Sequence, residues 1–172
     1  RQRQMCIRDR VTALPEVDES YPDTLSGEEI PLYISQEKAA AYRRFMKDNT
    51  LLITADTIVW LDGKVYGKPR DIADAKAMLQ ALSGKTHTVI TGVTLTSLQK
   101  QISFAVSTEV TFAALGDDEI DYYVETYRPL DKAGAYGVQE WIGYIGVTGL
   151  KGSYYNVMGL PIQRLYTELK KF

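Results

Sequence analysis

The sequence has few of the residues on which disulfides, zinc clusters and thiol chemistry depend. Its 172 residues include one cysteine, Cys6, and one histidine, His87. A single cysteine cannot form an internal disulfide, and together the two residues are too few for a zinc cluster and argue against a Cys/His catalytic pair. Chemistry at a site in this chain therefore has to rest on carboxylates, lysines, hydroxyls and amides.

A long apolar run and an excess of one charge are also missing. The longest apolar run is too short to cross a bilayer, and 20 lysines and arginines against 22 aspartates and glutamates leave a net charge of −2. This balance gives no electrostatic reason to expect binding to nucleic acid or to an anionic membrane. No apolar segment typical of a secretory signal follows the basic start. We therefore expect a cytoplasmic protein that binds neither nucleic acid nor membrane.

Residues 1–10 differ in composition from the rest of the chain. The segment RQRQMCIRDR contains four arginines and one aspartate. One interpretation is a basic arm for nucleic acid, but the segment has no aromatic residue for base stacking and is followed by acidic sequence. We favour the other interpretation, that it is a remnant foreign to the domain. Residues 11–172 are long enough to form one domain with its own core.

Helix and strand signals alternate along the chain, without internal repeats or linkers. Apolar, β-branched runs predict strands, and Asp62-Gly63 predicts a hairpin. The predicted strands cover residues 51–61, 65–66, 86–98, 102–114 and 141–147. Apolar periodicity and capping signals predict helices, with a loop over residues 15–31. The predicted helices cover residues 34–46, 71–82, 117–127 and 161–169.

Two charged residues stand in unusual surroundings. Asp56 interrupts an apolar strand, where an ionised carboxylate is costly unless it is paired, hydrogen-bonded or bound to a metal. The alternative is that it faces solvent at the end of the strand beside Thr57. Lys68 lies between Gly67 and Pro69, a restrained backbone that suits a phosphate-binding cation, or it is an ordinary exposed lysine. Both residues are site candidates, and both alternatives stay open.

Residues 131–139, DKAGAYGVQ, mix charged, small and aromatic residues with no regular period, which is typical of a loop shaped for something other than core packing. Gln139 can read a base edge with its donor and its acceptor, although a tight turn under a sheet edge also explains it. His87, in a β-branched run, is expected to be structural. The chain has no G-x-G-x-x-G pattern, and Pro69 stands where a P-loop has Ser or Thr. Rossmann and P-loop enzymes are therefore not supported.

Five motifs together resemble a known family. They are A-D-T at 55–57, G-K-P at 67–69, M-L-x-x-L-S-G-x-T-H at 78–87, D-K-A-G-A-Y-G-V-Q at 131–139 and G-S-Y-x-N-V-x-G-L-P at 152–161. In this order and spacing they resemble the Maf family of nucleoside triphosphate pyrophosphatases, over residues 14–172. The resemblance implies an α/β fold, with a mixed twisted β-sheet, flanking helices and two lobes around an elongated cleft. It also implies hydrolysis of a nucleoside triphosphate to the monophosphate and pyrophosphate with a divalent metal.

The resemblance also implies roles for particular residues. Asp56 is the expected catalytic carboxylate, acting as general base or organising a Mg²⁺ or Mn²⁺ ion together with Glu19. Thr57 and Gln139 match positions tied to base selection, and their identities resemble the subgroup acting on dTTP and UTP. The residues expected to bind substrate are Glu19, Lys38, Thr57, Lys68 and Gln139. A homodimer is a further expectation from the family.

The resemblance is incomplete at the start of the chain. The family opens with a strand and an S-x-S-P-R-R loop that binds substrate, whereas residues 12–20 already match the segment that follows these elements. Arg8 and Arg10 do not replace the family's arginine pair, because the preceding serine and the proline are absent. We therefore expect a shortened or wrongly joined N-terminus. The alternative function is a nucleotide-binding regulator of cell division or septum formation without catalysis.

Overall fold

One antiparallel sheet forms the centre of the protein in a computed structural model that describes residues 17–172. The strands are β1 (Leu52–Leu61), β2 (Lys64–Tyr66), β3 (Thr86–Thr96), β4 (Gln101–Phe112) and β5 (Val147–Lys151). Their order in the sheet is β2-β1-β3-β4-β5, and these neighbours all pair antiparallel. The helices are α1 (Glu29–Arg43), α2 (Ile72–Leu82), α3 (Asp117–Tyr127), α4 (Trp141–Gly146), α5 (Tyr154–Val157) and α6 (Ile162–Leu169), with a 3-10 turn at Ala133–Ala135.

These elements confirm the predicted α/β fold, a sheet with flanking helices. The predictions for residues 1–10 and for the missing S-x-S-P-R-R loop concern a part of the chain outside the described residues. Within residues 17–172, no helix combines the length and the apolar content needed to cross a membrane. The expected homodimer and cytoplasmic location stay predictions.

The hairpin between β1 and β2 leaves part of the sheet edge open. Asp62 and Gly63 form its turn with φ values of +52° and +78°, which glycine adopts freely and aspartate tolerates. β2 is short and pairs with residues 59–61 of β1. Residues 52–58 of β1 pair on their other side with β3. Within residues 17–172, the outer edge of this β1 segment therefore has no strand beside it.

Helix α1 packs on one face of β1 and β3 at very short range. Gly92 of β3 lies under its first turn, where a Cβ would come within 2.4 Å of the carbonyl of Pro31. Gly92 pairs directly with Asp56 across the two strands. The absence of a side chain at Gly92 therefore lets α1 approach the strand that carries Asp56.

The predicted start of α1 was wrong by five residues. The helix spans Glu29–Arg43 rather than residues 34–46, so Pro31 belongs to its first turn instead of to a loop. Proline is tolerated at this position because the first N–H groups of a helix have no partner within the helix. Burial of Ile30 and Ile34 against the sheet stabilises this first turn.

The main core lies on the opposite face of the sheet, beneath α2 and α3. Helix α2 begins at Asp71, whose carboxylate accepts a hydrogen bond from the amide of Asp74 at 2.8 Å. Burying each large aliphatic side chain contributes about 2 kcal/mol, so this cluster holds the helices firmly on the sheet. Its members include Val59, Leu79, Leu82, Val89, Val110, Phe112, Ile120, Tyr123, Tyr136, Val138 and Ile142.

The predicted strand over residues 141–147 was wrong. Trp141–Gly146 form helix α4, and strand β5 begins only at Val147. A Cβ at Gly143 would lie 2.0 Å from the carbonyl oxygen of Val138, so this turn of helix packs directly on the preceding backbone. The apolar run suggested a strand, but strand propensity depends on neighbours and here the local packing outweighs it.

His87 is a structural residue of the core, as expected. Its side chain is almost fully buried, and its Nε2 lies 2.7 Å from the hydroxyl of Tyr136. The ring of Phe112 packs edge-on against both side chains. Burial lowers the pKa of His87 to about 4. The imidazole is therefore neutral near pH 7, and it supports the loop that contains Tyr136.

We predict that stability falls as the pH is lowered from 6.5 towards 4 and that His87→Gln reduces this loss. The pKa of His87 in the folded protein, about 4, lies below its ordinary value of 6.5. Between these values the unfolded chain binds a proton that the folded chain does not, so folding loses about 3 kcal/mol across the window. Urea unfolding of both proteins at several pH values measures the effect. Identical slopes of unfolding free energy against pH would contradict it.

Candidate active site

A cavity of about 290 Å³ opens at the edge of β1 that, among residues 17–172, has no strand beside it. Neighbouring side chains of a strand point to opposite faces of the sheet. At an open edge, side chains from both faces can reach the same cavity. Asp56 and Thr57, neighbours on β1, both line it. The structure brings together all six residues that the sequence analysis selected, and they line this one cavity. They are Glu19, Lys38, Asp56, Thr57, Lys68 and Gln139.

Four charged side chains form a continuous series of ion pairs along the cavity. Lys38 Nζ lies 2.7 Å from Asp56 Oδ1 and 2.9 Å from Glu19 Oε1. Lys68 Nζ lies 2.8 Å from Glu19 Oε2. Lys38 therefore joins two carboxylates, and Glu19 joins two lysines. This answers the question raised by Asp56 in its apolar strand, because the carboxylate is paired and not simply exposed.

Buried hydroxyl groups hold α1 in the position that places Lys38 over Asp56. The Thr54 hydroxyl donates a hydrogen bond to the Ser35 carbonyl at 2.7 Å. The hydroxyls of Ser35 and Thr94 lie 2.8 Å apart. Ser35 is three residues before Lys38, on the same side of the helix. These contacts tie α1 to β1 and β3 one turn away from the ion pair.

Burial and the lysines affect the two carboxylates differently. Only 10% of the Asp56 side chain is exposed, and burial raises its pKa against the opposing effect of Lys38. Burial also acts to raise the pKa of Glu19, but hydrogen bonds from Lys68 and Lys38 outweigh it and lower that pKa. For Lys38, the two carboxylates outweigh burial and raise the pKa. The pKa values of Asp56 and Glu19 thus shift in opposite directions, and Lys38 keeps its charge.

Thr57 and Gln139 supply uncharged polar groups to the cavity. The Thr57 hydroxyl lies 2.9 Å from that of Thr91 and 3.5 Å from the carbonyl oxygen of Gly159. Gln139 Oε1 is buried and has no hydrogen-bond partner within residues 17–172. A buried acceptor without a partner is costly. A ligand that donates a hydrogen bond to Gln139 would remove this cost.

Lys132 is a cavity residue that was not predicted from the sequence, although the segment that contains it, residues 131–139, was. Lys132 lines the cavity beside Asp131. Its Nζ lies 2.8 Å from Asp131 Oδ1 and 3.3 Å from Glu140 Oε1. The available signal was a lysine among small residues in a loop without a regular period. Only the folded chain places this lysine in the same cavity as Lys38 and Lys68.

The carboxylates of Asp56 and Glu19 are the groups that fit a divalent cation. Oxygen donors suit Mg²⁺ and Mn²⁺. Within residues 17–172, no three or more His, Cys, Asp or Glu side chains are grouped as a metal site. The donors therefore fit an ion that uses one or two carboxylates and completes its coordination with water and substrate oxygens. They do not fit a site built from protein ligands alone.

Fold and site together define an α/β protein with a polar cleft, lined by paired lysines and carboxylates, at the edge of its sheet. The family model described as "Maf-like protein" matches residues 2–172, a match that starts within the segment of residues 1–10. The chain belongs to the Maf-like protein family, which confirms the predicted resemblance.

Three relatives carry the name dTTP/UTP pyrophosphatase. The protein of Phocaeicola vulgatus is 66% identical over 165 residues, which are 96% of this chain and 86% of the relative. That of Bacteroides fragilis is 63% identical over 161 residues, 94% of this chain and 83% of the relative. That of Porphyromonas gingivalis is 54% identical over 168 residues, 96% of this chain and 84% of the relative.

We predict that Lys38→Met destabilises the protein more in the wild-type background than in an Asp56→Asn background. Without Lys38, the carboxylates of Asp56 and Glu19 lose the cation that they share. In the double variant one of these charges is absent, so we expect a coupling free energy of about 2 kcal/mol. Urea unfolding of the four proteins measures it.

The matched control is Lys76→Met combined with Asp121→Asn. Lys76 also contacts two carboxylates, Asp121 at 2.8 Å and Glu125 at 3.2 Å, but Asp121 is about half exposed. We expect a coupling below about 1 kcal/mol for this exposed pair. Equal coupling in the two pairs would show that burial of Asp56 does not strengthen its contact with Lys38.

Proposed function

We propose that this protein hydrolyses dTTP and UTP to the monophosphate and pyrophosphate, with a divalent metal. The observation that carries the proposal is the content of the cavity. It contains two lysines paired with two carboxylates, and it also contains the amide oxygen of Gln139, which has no hydrogen-bond partner within residues 17–172. Phosphoryl transfer needs positioning and charge neutralisation more than covalent catalysis. Identities of 54–66% to relatives named dTTP/UTP pyrophosphatase support the choice of substrate.

The lysines neutralise the phosphates in the proposed reaction. Lys68 is about half exposed and can exchange Glu19 for a phosphate oxygen as substrate enters. Lys38 contacts both Glu19 and Asp56, so it can exchange Glu19 for a phosphate oxygen and keep its contact with Asp56. Loss of one such contact in the transition state costs about 3 kcal/mol, or roughly a hundredfold in rate. A Mg²⁺ or Mn²⁺ ion held by Asp56 and Glu19 would neutralise further phosphate charge.

Asp56 accepts the proton of the attacking water. As the water oxygen bonds to the α-phosphorus, the bond from this phosphorus to the bridging oxygen breaks and pyrophosphate leaves. Burial raises the pKa of Asp56, which makes it a better proton acceptor than an exposed aspartate, and Lys38 fixes its orientation through Oδ1. A positioned base of this kind contributes a factor of about 10² to 10⁴.

Gln139 and Thr57 select the base. Thymine and uracil both present an N3–H donor between two carbonyl oxygens. The buried Gln139 Oε1 can accept from that N–H, while the amide nitrogen of the same side chain donates to a carbonyl. Cytosine has an acceptor at N3 and a donor at N4, the reverse of this pattern. In the orientation described here Gln139 Oε1 would face the N3 lone pair, and Gln139 would have to reverse its amide to pair with cytosine.

We predict that the protein releases pyrophosphate from dTTP and UTP faster than from CTP, GTP and ATP, and that a chelator stops the reaction. A coupled pyrophosphate assay with Mg²⁺ or Mn²⁺ measures the rates, and calorimetry measures nucleotide binding in parallel. Binding without pyrophosphate release from any nucleotide would replace the proposal with the non-catalytic nucleotide-binding regulator.

We predict that Asp56→Asn lowers kcat at least about a hundredfold and leaves the protein folded. Asparagine has nearly the same shape as aspartate, and Lys38 keeps its contact with Glu19. Steady-state kinetics and urea unfolding test both parts. Asp121→Asn, on α3 and outside the residues that line the cavity, is the control and should retain wild-type kcat. Turnover of Asp56→Asn within about threefold of wild type would rule out the role of Asp56.

A further inference from the structure

Lys132 is held at the cavity by a partly buried series of polar contacts that reaches α3. Its ammonium contacts Glu140 Oε1 at 3.3 Å. The Tyr123 hydroxyl donates to the other oxygen of Glu140 and accepts a hydrogen bond from the amide of Gly137 at 3.1 Å. Because Tyr123 is fully buried, Glu140 is anchored to the core and sets the place of the Lys132 ammonium.

The Lys132 loop lies directly on the Lys68 loop. The amide of Gly134 donates to the carbonyl of Gly67 at 3.0 Å, so the residue before Lys68 is bonded to a residue two positions after Lys132. Gly134 has a φ of +68°, and a Cβ there would lie 2.8 Å from Val59. Glycine is therefore required for this contact. The two lysines come from adjoining loops of the same cavity.

Lys132 can exchange its partner for a ligand more easily than Lys38 can. Among residues 17–172, the charges that line the cavity balance: three lysines, Lys38, Lys68 and Lys132, face Glu19, Asp56 and Asp131. The Asp131 side chain is 77% exposed, so water can replace Lys132 as its partner. Asp56, the partner of Lys38, is largely buried. If Lys38 turned away to a ligand, the negative charge of Asp56 would lose the cation that compensates it.

We propose that Lys132 is a further substrate-contacting residue, whose ammonium binds phosphate oxygens of the nucleoside triphosphate together with Lys38 and Lys68. The inference rests on the proposed function and adds a residue to it. The lysines of the cavity are already paired with carboxylates, so a polyanion can bind only if some of them exchange a carboxylate for a phosphate oxygen. Lys132 meets this condition because Glu140 keeps it at the cavity while its contact with Asp131 is open to solvent.

Lys132→Met tests the proposal, with Lys76→Met as the matched control. The two lysines have similar surroundings: each contacts two carboxylates at nearly equal distances, and their side chains are 22% and 28% exposed. Lys76 is not among the residues that line the cavity. Calorimetry with inorganic pyrophosphate and steady-state kinetics with dTTP and UTP are measured for both variants and for Lys132→Arg.

We expect Lys132→Met to weaken pyrophosphate binding and raise KM about tenfold, with a smaller effect at high salt because screening weakens the contact. Lys132→Arg should restore most of the binding, and Lys76→Met should stay within about twofold of wild type. Urea unfolding checks that each variant is folded. If Lys132→Met does not fold, Lys132→Gln, which can still donate to Glu140, takes its place.

The outcomes separate this inference from the proposed function. If the wild type releases pyrophosphate from dTTP and UTP but Lys132→Met binds and turns over like Lys76→Met, Lys132 does not contact the substrate and the proposed function stands. If the wild type releases no pyrophosphate from any nucleotide, the proposed function fails. Weaker pyrophosphate binding by Lys132→Met would then still support the phosphate contact, and unchanged binding would overturn it.

Discussion

The ion pair between Lys38 and Asp56 is the contact on which the site depends, because it allows an ionised carboxylate to lie within an apolar strand. Without a cation, burial would favour the protonated acid or a different position for the strand. The pair forms only because α1 lies very close to the sheet, and that approach requires the missing side chain of Gly92, the direct neighbour of Asp56 on β3. Packing of the helix and chemistry of the site thus share one constraint.

The short β2 strand has a second consequence for the site. Because it pairs with only three residues of β1, the preceding part of β1 has an open edge in the part of the chain that the structure describes. Side chains from both faces of the sheet then reach one cavity, the charged Asp56 from one face and the hydroxyl of Thr57 from the other. Charge neutralisation and base selection can therefore come from neighbouring residues of a single strand.

The loop over residues 131–140 forms the other wall and is held by contacts of a different kind. Glu140 is anchored to Tyr123 of α3, and Tyr136 to His87 of β3. These two hydrogen bonds are buried or partly buried, so they restrain the loop. The exposed side of the same loop carries Asp131 and Lys132, whose contact is open to solvent and weaker. The loop therefore combines an anchored side, at Tyr136 and Glu140, with an ammonium group, that of Lys132, which can change its partner.

The sequence by itself determined those features that depend on neighbouring residues. The Asp62-Gly63 hairpin, the helices α2 and α3 and the long strands β3 and β4 follow from turn chemistry, capping and periodicity, because these act over a few residues. The family resemblance also identified six of the residues that line the cavity. The tertiary structure alone decided that α1 begins at Glu29, that Trp141–Gly146 form a helix, and that Lys38 pairs with Asp56. It also decided that Lys132 joins the site. Helix α4 depends on packing against the nearby backbone of Val138. The others depend on contacts between residues far apart in the chain, whose geometry is set by packing and register and not by local preference.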